Sequence, residues 1–223
     1  HRGEKISLVG LNGAGKTTLI KLILLLYKPS VGEIYINGAP ASTVDNDEFW
    51  KHTGVVYQNY GTYSISIADN IIFGKEDERK KIDGLLAKVG MKDKIDKLPR
   101  QLDTMISQSL YPEGIDFSGG EKQRLAIARA LARDADLYVF DEPSSALDPK
   151  AEDELYNIIN QIPEDRTVIF ISHRLSSVSS TNRIIVIDDG RIIGDGSHNE
   201  LLSSCPKYRE MYETQAKRYG GVK

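Results

Sequence analysis

Residues 10–17, Gly10-Leu-Asn-Gly-Ala-Gly-Lys-Thr, read G-x-x-x-x-G-K-[ST], and no other stretch limits the chain so tightly. This pattern makes a phosphate cradle only between a strand and a helix. Both flanks fit. Lys5 to Val9 is a short apolar run (Ile6, Leu8, Val9) that predicts a buried strand. Thr18 to Tyr27 is apolar nearly all round and predicts a buried helix. In that setting Gly10, Gly13 and Gly15 let backbone N–H groups turn inward on a polyphosphate, with Asn12, Ala14 and Thr18 in the same cradle. Lys16 is placed to reach the outer phosphates, and the Thr17 hydroxyl to ligate Mg²⁺.

The 223 residues suffice for one large domain, or one with two lobes, around a real core. A net charge of −3 gives no sign of a nucleic-acid surface. The single cysteine, Cys205, rules out a disulfide framework within the chain, fits a reducing compartment and reads as a partly buried small residue. No apolar run is long enough to cross a bilayer; the most apolar piece, Leu22 to Leu26, lies inside the loop's own helix behind Lys21. There is no signal-peptide pattern. His1 to Lys5 runs into the first strand almost at once, so we expect either an abrupt start or a chain cut from a longer one.

After the first helix, Pro29 and Gly32 forbid its continuation. Glu33 to Ile36 alternates as a strand closed by an Asn37-Gly38 turn, and Asp45 to Trp50 predicts a helical turn. Gly54 to Gln58 is a short apolar strand ending on a polar residue. Ser66 caps a helix that runs toward Gly74. Lys75 to Lys97 is dense in charge, with Ile82, Leu85, Leu86 and Val89 spaced along one helix face, and reads as a solvated helix pair in an inserted lobe.

The second half carries the remaining polar signals. Phe117-Ser-Gly-Gly-Glu-Lys-Gln-Arg124 opens a helix to about Arg133, and Ser118, Gly119 and Gly120 at its start form a second anion cap. Leu137 to Phe140 is a buried strand that ends in Asp141-Glu142, and ligands bind at that edge of a parallel sheet. Asp141 is suited to hold Mg²⁺ through water and Glu142 to take a proton from an attacking water. Ser145-Ala-Leu-Asp148 precedes Pro149 and a helix to about Gln161. Thr167 to Ile171 is another buried strand, with Ser172-His173 at its C-terminal end. Arg183 to Ile193 predicts a hairpin about Asp188-Asp-Gly190, and Ser197-His-Asn-Glu200 is a capping box opening a last helix.

Taken in order, the loop at 10–17, Ser118 to Glu121, Asp141-Glu142, Ser145 to Asp148 and His173 resemble the ATP-binding-cassette (ABC) nucleotide-binding domain over essentially the whole chain. Ser66-Ile-Ala-Asp-Asn-Ile-Ile-Phe-Gly74 and Leu98-Pro99 with Asp103-Thr104 are similar to stretches of the exporter type. The chain departs from the family pattern at Phe117, Gln101, Pro112 and Glu121, where the signature has glutamine. The family's adenine-stacking aromatic would lie upstream of residue 1.

The resemblance implies an α/β fold of the P-loop NTPase type. A mostly parallel sheet is flanked by helices, with an inserted helical subdomain at 66–133 and a small antiparallel β part that looks N-terminally truncated. The ATPase core would comprise 1–65 and 134–223. Gln58 becomes the Q-loop glutamine, joining Thr17 and Asp141 at the metal; Glu142, His173 and Lys16 become catalytic, His173 as the switch histidine; Asp148 becomes the D-loop aspartate. ATP and Mg²⁺ are the implied cofactors. Two such domains, identical or different, would join head to tail, with Ser118, Gly119, Gly120 and Glu121 of one capping the nucleotide of the other. The remaining partner would be a transmembrane domain on the same or another chain, at the cytoplasmic face of a cell membrane, and the isolated chain is expected to be soluble. Nucleic acid is not an expected partner. Three rivals share the motifs. A DNA-organising head needs a long coiled coil before the signature, where no heptads are sustained; a ribosome-acting factor typically has two cassettes and basic linkers; a non-hydrolysing module sits poorly with Glu142 and His173.

Overall fold

The computed structural model describes residues 1–143, 149–172 and 181–218. β1 (Lys5–Val9) leads through the glycine loop into α1 (Lys16–Ile23). β2 (Tyr35–Ile36) and β3 (Ala39–Pro40) form a small antiparallel hairpin, followed by α2 (Asn46–Lys51) and β4 (Thr53–Val56). Asn37 and Gly38, both at positive φ (50° and 82°), make the hairpin turn that their side chains favour. A helical stretch follows with α3 (Ile67–Ile72), α4 (Ile82–Lys88), α5 (Lys92–Asp96) and α6 (Gly119–Ala132). Then come β5 (Leu137–Asp141), α7 (Pro149–Asn160), β6 (Thr167–Ile171), β7 (Arg183–Asp188), β8 (Arg191–Gly196), α8 (His198–Ser204) and α9 (Pro206–Arg218).

Six strands join in the order β4-β5-β6-β1-β7-β8, all neighbours parallel except the β7–β8 hairpin. Strand alternation divides the core between the two faces of this sheet. Tyr138, Phe140, Val168 and Phe170 pack with residues of α3, α4, α6 and α7. Val139, Ile169 and Ile171 face the other way, with Ile20 and Leu24 from the α1 end. Val9, Ile184 and Val186 meet α8 and α9 through Leu201, Tyr208 and Met211. Cys205 is in this last cluster, fully buried rather than partly.

Two predicted elements end earlier than their composition implies. α1 stops at Ile23 because Leu25 adopts φ 57°, and the Leu25 and Leu26 amides donate to Leu22 O and Lys21 O. That closure is a Schellman turn with leucine where glycine is usual, and it leaves Leu26 and Tyr27 about half exposed (46% and 50%) instead of buried in a helix. The last helix divides into α8 and α9, since Pro206 cannot donate to the helix before it.

Gly54 sets how closely α6 lies against β4. A Cβ there would stand 2.9 Å from Ala130 O and 2.8 Å from the Tyr138 ring. No helix among the described residues is long and apolar enough to cross a membrane.

Candidate nucleotide site

Parallel strands put several chain segments at one sheet edge. The phosphate loop follows Val9, Tyr57-Gln58 follows Val56, Asp141-Glu142 ends β5, and Ser172 follows Ile171. Register holds Asp141 opposite Ile171, and Ile171 opposite Leu8. This edge is where open α/β sheets bind ligands.

The loop is shaped by its glycines and by a neighbour that the sequence did not single out. Gly13 and Gly15 sit at φ 82° and 104°, a region that side chains other than glycine rarely adopt. A Cβ on Gly10 would lie 2.3 Å from Ile187 O, so β7 leaves no room for one. The Gly190 amide, in the β7–β8 turn, donates to Ala14 O at 2.9 Å, and Gly15 closes against Gly190. The hairpin thus supports the loop from behind. Gly15 is the N-cap of α1 and gives no side-chain cap, so the first-turn amides carry their positive end toward the loop. Asn12, Gly13, Thr17 and Thr18 are exposed and Ala14 is buried.

Lys16 is 6% exposed, and its ammonium donates to Gly10 O (2.9 Å) and Leu11 O (3.1 Å). Burial lowers its pKa, while the Glu142 and Asp141 carboxylates partly restore it. Asp141 is 5% exposed. Burial pushes its carboxyl up, Glu142 pushes further, and Lys16 and Lys21 pull back without cancelling the rise. A buried aspartate and a half-buried glutamate beside one buried ammonium, under an uncapped helix end, are a charge arrangement that suits an outside polyanion with a cation. Mg²⁺ in phosphate sites takes one or two carboxylates plus phosphate oxygens. Thr17 and Asp141 offer such hard oxygen donors.

Gln58 and Glu142 meet directly: Gln58 Nε2 donates to Glu142 Oε2 at 3.0 Å. That orientation leaves the Gln58 carbonyl oxygen for a cation. Glu142 is held at φ 47°, an uncommon conformation for glutamate, and its amide donates to Ile171 O at 3.1 Å. Strain of this sort is found at functional sites.

Ser118 to Glu121 forms a separate cap. The Ser118 hydroxyl accepts from the Glu121 amide, and the Glu121 carboxylate accepts from the Ser118 amide at 2.9 Å, completing a capping box. Gly119 is exposed and a Cβ there would meet nothing within 4 Å. Among the described residues no hydrogen bond links this segment to the phosphate loop; its polar partners are its own turn and Lys94. Asp148 and His173 lie outside the described residues. Sequence reasoning read Gly190 only as a hairpin turn and not as a support of the loop, and it missed Lys94 and Arg129, neither of which carries a local pattern. Arg129 ties α6 to the segment after Gln58. It donates to Gly61 O (3.1 Å) and Asn70 O (2.7 Å) and lies over the Tyr63 and Phe73 rings.

A parallel sheet with a phosphate loop, an acid pair and a separate serine-glycine cap defines a nucleotide-binding domain. The sequence matches the ABC transporter family over residues 1–145, and the chain belongs to that family. A shorter match, residues 115–179, is to an AAA domain described as a putative AbiEii toxin of a type IV toxin–antitoxin system. The chain is 40% identical over 218 residues to the subtilin transport ATP-binding protein SpaT of Bacillus subtilis, covering 96% of this chain and 35% of that protein. It is 35% identical to an ATP-dependent lipid A-core flippase of Burkholderia orbicola, again over 96% of this chain and 35% of the relative. Among solved structures, a bacterial Atm1-family ABC exporter with ATP bound superposes with a TM-score of 0.85 at 34% identity, covering 96% of this chain and 37% of that one. The chain therefore spans about a third of the length of these relatives.

Proposed function

We propose that this chain is the ATP-binding and ATP-hydrolysing domain of an ABC exporter, and that ATP-driven pairing of two such domains powers a transmembrane partner at the membrane. The observation that carries the reading is the convergence of Lys16, Asp141, Glu142 and Gln58 on the sheet edge that holds the glycine loop. Supporting it, relatives over 96% of the chain are named for subtilin transport, nisin transport and lipid A-core flipping. Those names differ in cargo, so the shared part is the ATP machinery. We assign residues 66–133 to a helical subdomain and the remainder to the ATPase core.

The loop amides and the first turn of α1 bind the phosphates, and Lys16 turns from its own carbonyls toward the outermost one. Thr17, Asp141 and the Gln58 carbonyl oxygen would hold Mg²⁺, which would supply positive charge to offset that of the phosphates. Glu142, aimed by Gln58, accepts the proton of the attacking water. His173 and Asp148, placed by sequence, complete the site beside the γ-phosphate and across the pair. Ser118, Gly119 and Gly120 of the second domain close over the nucleotide through the exposed start of α6. ADP lacks the γ-phosphate that both caps share, so hydrolysis favours separation.

Phosphate release from Mg-ATP tests this. The chain should turn over ATP, and Glu142→Gln should bind ATP without turning it over. Equal turnover by both would remove Glu142 from the role of base.

A further inference from the structure

The signature cap carries a charge that its proposed ligand should resist. Glu121 occupies the third helical position of α6, inside the first turn whose amides would face a polyphosphate. Its two carboxylate oxygens have different partners: Oε2 accepts from the Ser118 amide at 2.9 Å, and Oε1 accepts from Lys94 Nζ at 2.6 Å. Burial pushes the Glu121 carboxyl up, yet the bonds from Lys94 and Ser118 hold it below the usual carboxylate range. It therefore stays ionised and needs a counter-charge. Lys94, on α5, also places its ammonium 5.5 Å from the Phe117 ring centroid, so it spans both sides of Ser118. Lys92, two residues away, is taken by Asp83 and Asp96 and is not a substitute. Side-chain exposures of 43% and 24% put Lys94–Glu121 among the surface pairs that add little to stability. Its effect falls instead on the local field at the cap.

We propose that Lys94 is a positioning residue for ATP capture by the signature. It cancels the Glu121 charge and leaves that carboxylate free to hold the Ser118 amide, so that the start of α6 presents a net attractive face to the γ-phosphate of the nucleotide on the second domain. This rests on the paired-domain reading above. It predicts an unusual dependence: losing Lys94 harms the cap only while position 121 is acidic.

The test follows ATP-dependent pairing by light scattering in the Glu142→Gln background. Lys94→Met should need about tenfold more Mg-ATP to reach half-pairing, the effect of about 1.4 kcal/mol. Lys94→Arg should match the parent. Lys94→Met combined with Glu121→Gln should return to the parent value, because the uncompensated charge is gone. All variants should melt within about 2 °C of one another, as for an exposed pair. Lys94→Met equal to the parent, or the double variant as weak as Lys94→Met, would overturn the inference and leave the paired-domain reading standing. A larger melting shift with Lys94→Met would mean a structural role and overturn it too. A parent that never pairs in Mg-ATP would overturn both.

Discussion

Gln58 Nε2 donates to Glu142 Oε2 across 84 residues of sequence. The bond joins the segment after β4 to the acid at the end of β5, two neighbouring parallel strands. It gives Glu142 Oε2 a fixed donor and so sets how the carboxylate is turned. Glu142→Gln should cut hydrolysis by about 10²–10⁴-fold, the usual contribution of a general base, while ATP binding is retained. Gln58→Ala should lower turnover in the same direction but by less, since it frees the base rather than removing it. Phosphate release and nucleotide titration on the two variants check both.

Lys16 carries the binding side. Its ammonium is buried in the loop, and two carboxylates offset part of the cost of that burial. Lys16→Ala should abolish measurable ATP binding, not merely slow turnover. Titration with a fluorescent ATP analogue, beside a melting curve that shows the fold intact, separates these outcomes.

Asp141 is expected to trade stability for function. Its folded pKa lies above the ordinary value of 3.8, chiefly through burial. Between the ordinary and the raised value the folded state holds more protons than the unfolded one, so stability falls as pH climbs through that window. Above it the penalty is complete; below 3.8 it vanishes. Asp141→Asn should therefore raise the melting midpoint at pH 7, and the gap should close toward pH 3.8. The same variant should lose Mg²⁺-dependent turnover. Thermal melts across pH decide the sign.

Gly10 is a packing requirement as much as a loop requirement. A Cβ would stand 2.3 Å from Ile187 O, on a backbone that cannot yield without moving β7. Gly10→Ala should destabilise the domain by about 1–3 kcal/mol, the range for overpacking, read as a lowered urea midpoint with an unchanged slope.

What could be read from the sequence was what short spacing encodes. The Asn37-Gly38 turn, the helix cap at Ser118, the capping box at Ser197, the Ser66 cap and the acid pair at the end of β5 each depend on residues within three or four positions. The strand order was legible only as a class, because which strand lies beside β1 is decided by packing over the whole chain. Contacts between distant residues were invisible for the same reason. Gly190 supporting Ala14, Lys94 reaching Glu121 and Arg129 joining Asn70 span from 27 to 176 positions. The early end of α1 was hidden differently: leucine composition favours continuing a helix, and the Leu25 turn is set by where the chain must go next.

Arg129 offers a check on the link between α6 and the segment after Gln58. Its guanidinium satisfies Asn70 O and Gly61 O and covers two aromatic rings. Arg129→Ala should cost about 2–3 kcal/mol, the scale of hydrogen bonds to a charged group that lose their donor. Urea unfolding measures it.

The central claim is that ATP joins two copies of this domain through the loop of one and the α6 cap of the other. Light scattering on Glu142→Gln, with and without Mg-ATP, tests it most directly. We predict a monomer that doubles in mass only when Mg-ATP is present. A monomer at saturating Mg-ATP, with ATP binding verified in the same sample, would contradict the claim.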